Sequence, residues 1–139
     1  MIEFTFEHIN SHSVDTAFHK VRNAGLRNPK VAYNVHKIST KVLKALDDRR
    51  KEYTKGLMEY AEKDENGKVQ FEGMGPKIKK EFEKEVEALT QKVIEGSVEI
   101  EMLPINVMEL AEAQLTPNDV AALAPMLTGL EDEKLSLVK

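Results

Sequence analysis

The 139 residues suit one compact domain, and 41% apolar with 32% charged residues can bury a core, which argues against wholesale disorder. The absence of Cys excludes disulfides, thiolate zinc sites and a Cys nucleophile, and fits a reducing compartment. The net charge of −4 argues against nonspecific nucleic-acid binding as the main activity, while leaving room for a local basic patch.

Ile2, Phe4 and Phe6 alternate with Glu3 and Thr5, the period-two signature of a half-buried strand. The following SHSVDTAFHKVRNAG predicts a short helix. Ser11 or Ser13 can cap it, Asp15 suits its first turn and Gly25 its end, while Val14, Ala17, Phe18 and Val21 share one face. Asn28-Pro29 then pairs a capping side chain with a first-position proline. Beyond it, Val31, Val35, Ile38, Val42, Ala45, Tyr53, Gly56 and Tyr60 recur at spacings of three and four, with Arg49 interrupting the seam. A helix over 29–62 is predicted, roughly 45–50 Å long at 1.5 Å per residue.

In YAEKDENGKVQFEG, Asn66-Gly67 predicts a tight turn at positive φ, with Val69 and Phe71 packing one face of a short extended segment back on the hairpin. Gly75-Pro76 reads as a second helix start. Ile78, Phe82, Val86, Leu89 and Val93 form its stripe and Gly96 its end, giving a helix over 76–95. Two amphipathic helices with a modest connection predict an antiparallel hairpin. Val98, Ile100 and Met102 alternate with Glu99 and Glu101, a strand expected to pair with residues 2–6. A short helix is expected over 107–113. Thr116-Pro117-Asn118-Asp119 comes close to a capping box opening another helix. Residues 1–130 are read as one domain and 131–139 as a loosely held tail. The fold class is α+β, mainly helical: a long antiparallel helical hairpin, a short helix and a small two-stranded β-sheet.

The chemical candidates are sparse. Setting Gly67 at position six of a calcium loop places Glu62, Asp64 and Asn66 at positions one, three and five, but Gly73 falls at twelve, where a bidentate Glu is required. His8, His12 and His19 are spaced by four and seven but lack a closing ligand, and no HExxH is present. Glu99 and Glu101, with Glu95 nearby, read as a solvated strand face. Arg49 is expected either to pair with Glu85 or Glu87 or to mark where the helices splay. Lys77, Lys79, Lys80 and Lys84, with Lys51 and Lys55, sit among glutamates, so nucleic-acid binding there is a minor reading. No phosphate loop, GxSxG or triad appears. No catalytic, cofactor-binding or metal residue is therefore assigned, no cofactor is expected, and the expected activity is not enzymatic. No apolar run approaches the ~20 residues needed to span a bilayer, and MIEFTFEHIN lacks the pattern of a signal peptide, so no membrane partner is expected.

The order of features resembles an uncharacterised family of short phage and prophage proteins, often encoded near tail or other late structural genes. The likeness rests on KVAYNVHKISTKVLKAL leading a long helix, EYAEKDENGKV at the turn, the acidic GSVEIEMLPI and the closing QLTPNDVAALAPML. It covers roughly residues 26–127, with Ala61 standing where Gly would be expected. The family brings no catalytic residue. It implies an accessory protein acting through protein–protein contacts in virion or tail assembly, in the bacterial host cytoplasm or on the virion. The alternative is a phage regulator or counter-defence protein that binds a host factor. Exposed sheet edges leave a homo-oligomer open.

Overall fold

The computed structural model describes residues 1–73 and 75–130; the expected tail, 131–139, lies outside the described residues. In chain order the elements are β1 (Ile2–Thr5), α1 (Phe6–Ser11), α2 (Val14–Asn23), α3 (Pro29–Glu59), β2 (Phe71–Glu72), β3 (Gly75–Pro76), α4 (Glu83–Ile94), β4 (Ser97–Ile100), β5 (Ile105–Asn106), α5 (Pro117–Leu123) and β6 (Leu127–Thr128). Short 3-10 turns occupy Lys80–Phe82, Val107–Ala113 and Ala124–Met126. The fold is α+β and mainly helical, with small two-stranded sheets.

β1 and β4 pair antiparallel in the register Ile2↔Ile100, Glu3↔Glu99, Phe4↔Val98 and Thr5↔Ser97. This register puts every apolar residue of both strands on the buried face and every Glu on the exposed one. A slip of one residue would reverse that, so burial fixes the pairing. The alternation expected through Phe6 stops earlier. Thr5 accepts a hydrogen bond from the His8 N–H and caps α1, so Phe6 is buried from a helix instead of a strand.

The core is shared by β1, α2, the first half of α3 and the C-terminal segment. Phe4, Phe18, Ile38, Leu110, Leu123 and Met126 are among its largest fully buried side chains. Burying each contributes about 1.5–3 kcal/mol against leaving it in water. Phe4 and Phe18 meet with ring centroids 5.9 Å apart. Asn28 caps α3 through its side chain, which accepts from the Lys30 and Val31 amides, and Pro29 takes the first position. Val35, Ile38, Ser39, Val42 and Leu46 are the buried residues of α3, none of them beyond Leu46. Ser39 is satisfied by donating to the His36 carbonyl at 3.0 Å.

Beyond Leu46 the packing changes. Of the described residues from 47 to 95, only Ala61 is buried, and α4 has no buried residue at all. Here Gly56 meets Leu89, Tyr53 Oη lies 3.4 Å from Thr90 Oγ1, and Arg49 reaches the Lys92 carbonyl. A Cβ at Gly56 would sit 2.6 Å from a Leu89 methyl, so the missing side chain leaves the room that the Leu89 methyl groups fill.

The second helix is shorter than the expected 76–95. Gly75-Pro76 does not start it but forms β3, paired with Phe71-Glu72. No capping side chain precedes Pro76, and Gly73 at φ +64 turns the chain back into a strand pair. Around it, the Glu62 amide donates to the Lys77 carbonyl, Lys77 to Gln70, and Gln70 to Glu62, closing a ring of three backbone bonds. Phe71 does not pack back on the hairpin; it is 62% exposed. The reversal runs through Glu65-Asn66-Gly67, where only Gly67 takes a positive φ and Asn66 does not. The Gly67 amide donates to Asp64 O and the Asp64 amide to Lys68 O, a three-residue loop ending in a left-handed glycine.

Candidate functional site

Polar groups gather where α3, α4 and the residues leading into β4 meet. An open groove of about 620 Å³ is lined there by Arg49, Glu52, Tyr53, Leu89, Lys92 and Glu95, among others. Arg49 is its central group. Its guanidinium donates to the Lys92 carbonyl in the last turn of α4 and lies over the Phe6 ring, 4.1 Å from the centroid. The expected pairing with Glu85 or Glu87 is therefore replaced. A carbonyl in the last turn of α4, which also accepts the Glu95 amide at 3.3 Å, and a buried aromatic face occupy the guanidinium instead. Gly96, at φ +83, passes close beneath it. Nothing in the groove makes a nucleophile–base pair. The Thr90 hydroxyl donates to the Val86 carbonyl at 3.0 Å, and Lys92 and Arg49 balance Glu52 and Glu95.

The histidines do not assemble. His8 donates through Nε2 to the Ala122 carbonyl at 2.9 Å, and His12 through Nδ1 to the His8 carbonyl at 3.1 Å. Their rings stack 4.2 Å apart and 20° from parallel, so lone pairs lying in the ring planes do not converge. His19 lies on α2, among Asp15, Arg22, Asn23 and Leu43 in a separate groove. Among the described residues, no group of three or more His, Asp or Glu could hold a metal ion.

In the turn segment Asp64 is used internally: its Oδ1 accepts from the Asn66 and Lys68 amides, both at 2.9 Å. Glu62 pairs with Lys77 at 3.1 Å. The candidate basic patch is likewise divided. Lys51 bonds Asp47 at 2.9 Å, and that hydrogen bond raises its pKa. Lys77 and Lys79 lie in the turn segment instead of leading a helix, and Lys79 sits 5.9 Å from the Phe82 ring centroid.

Glu99 and Glu101 do share an exposed face, and the fold adds Glu3 directly opposite Glu99. Among the described residues, none of the three joins an ion pair. Like charges opposed across a strand pair oppose folding by roughly 0.2–1 kcal/mol. Among the described residues, the only buried ionisable group is Asp119, which sequence spacing identifies as a cap. It completes a capping box with Thr116 and also accepts from Lys20 Nζ at 2.6 Å. Burial pushes its carboxyl up, but the Lys20 and Thr116 hydrogen bonds outweigh this and hold its pKa below the usual value. Lys20 was not anticipated as its partner, because 99 residues separate them.

No protein-family model, curated protein or solved structure matches the chain. Among the described residues, no helix is long and apolar enough to cross a membrane.

Proposed function

We propose that this is a non-enzymatic, phage-encoded accessory protein that works by protein–protein contact in virion or tail assembly. The distal half of α3 and α4 act in this reading as one long antiparallel hairpin, an arm held to the body by Arg49. The observation that carries it is the burial pattern: 49 consecutive positions, 47–95, contribute one buried residue among those described. A helix of 12 residues with no buried side chain is marginal on its own, and docking on a partner would complete its packing. The acidic sheet face offers a second contact, since Glu3 and Glu99 oppose each other and, among the described residues, neither joins an ion pair. The resemblance over roughly residues 26–127 supplies the phage setting.

The test is cross-linking and affinity purification from infected cells, together with mass spectrometry of purified virions. Recovery of tail or virion proteins, lost when Glu3 and Glu99 are changed to Lys, is the expected result. Recovery of a host enzyme instead would replace the assembly role with a regulatory one, and no specific partner at all would overturn the contact reading.

A further inference from the structure

The net charge hides a segregation. Residues 16–46 hold seven Lys and Arg and no Asp or Glu, inside a chain whose total is −4. On α3 this becomes a face. Lys30, Lys37, Lys41 and Lys44 are all exposed, and at 100° per residue they fall within an arc of roughly 60°. The arc is turned away from buried Val35, Ile38, Val42 and Leu46. The row spans about 21 Å of straight helix. Among the described residues none of the four joins an ion pair, whereas Lys51, further along the same helix, is neutralised by Asp47. Tyr33 stands in the row, 60% exposed, with the Lys37 ammonium 5.5 Å from its ring centroid.

An ordinary solvated helix face interleaves acids at i±4, which stabilises the helix; Lys37 and Lys41 instead place like charges there. We infer that this lysine row on α3 is a docking surface for the phosphate backbone of a nucleic-acid duplex. A protein partner fits less well. Lysine is depleted in protein interfaces, which rest on apolar and aromatic anchors, and the row carries only Tyr33. A uniformly charged polymer needs no such anchor, because released counterions supply the affinity. The negative remainder of the chain confines binding to this face and keeps it weak and sequence-independent. This surface is separate from the arm and the sheet face, so it stands or falls apart from the assembly reading.

Fluorescence anisotropy with two labelled DNA duplexes of unrelated sequence, at several salt concentrations, tests it. Both duplexes should bind equally, with log affinity falling against log salt at a slope of about −3 to −4 for four phosphate contacts. The triple variant Lys37→Gln/Lys41→Gln/Lys44→Gln should lose about tenfold or more at low salt and flatten the slope to about −1. Lys80→Gln/Lys84→Gln should bind as the unaltered chain, and circular dichroism checks that both variants fold. Absence of low-salt binding, or equal binding by the triple variant, overturns the inference. Tighter binding of a single strand also overturns it, in favour of a base stacked on Tyr33. So does a change in self-association in the triple variant, which would assign the row to the acidic face of a second copy.

Discussion

Arg49→Met removes the guanidinium while keeping a long apolar stem. Two interactions are lost: a charge-assisted hydrogen bond to the Lys92 carbonyl and the stack on Phe6. A hydrogen bond to a charged group contributes about 1.5–3 kcal/mol, and an exposed cation–π contact about 0.5–1 kcal/mol. Arg49 is half-buried, so water recovers part of the first, and a combined loss of about 1–2 kcal/mol is expected. That loss should be local. Arg49 ties α4 to the body, whereas the main core lies elsewhere. Amide hydrogen exchange in α4 should therefore accelerate about 5- to 30-fold, with little change in the amides of α2. Arg49→Lys should fall between, because an ammonium cannot both cap the helix and lie flat on the ring. Unchanged exchange in α4 for Arg49→Met, or Arg49→Lys behaving as the parent, would refute the clamp.

Phe18→Ala should cost about 3–5 kcal/mol in urea unfolding, and Leu89→Ala markedly less, because Phe18 is fully buried and Leu89 only half-buried. Equal costs would show that the core extends along α4. Asp119 sets an acid limb. Its folded pKa is depressed, so its stabilisation is full above the unfolded value near 3.8 and is lost as pH falls through the lower folded value. Asp119→Asn should therefore be less stable at neutral pH, and the gap should narrow in urea melts below that window; a constant gap would contradict the linkage. Glu3→Lys should raise the midpoint of thermal unfolding by replacing a like-charge pair with an opposite one opposite Glu99, a gain of about 0.2–1 kcal/mol. A lower midpoint would show that Glu3 is held by something other than that pairing.

Legibility in the sequence followed the range of the interaction. Asn28-Pro29 and Thr116-Pro117 mark helix starts through side chains that bond within three residues, and both caps form as their spacing predicts. The β1–β4 pairing was also readable, because each strand has a single apolar face and no other short strand of that length competes. Gly75-Pro76 was misread because a first-position proline is ambiguous without a capping side chain before it. Phe6 was misread because period two continues through it by accident. Thr5 as cap and Phe6 with Ile9 three residues on were the local signals of α1. Arg49 stood out on the seam, but its partners are a main-chain carbonyl and an aromatic ring, which pairing charges cannot find. The lysine row lay open to inspection as a run without acids, and averaging charge over the whole chain concealed it.

α3 is common to both halves of the molecule. Its residues up to Leu46 supply the core side chains Val35, Ile38, Val42 and Leu46, and the remainder carries the segment that buries almost nothing. With 31 residues it is a continuous rod of about 46 Å. A load applied near Glu59 is therefore delivered through unbroken helix to the buried rows around Leu46, with the Arg49 clamp as fulcrum. A partner that tilted the rod would thereby act on the packing of the body without touching it.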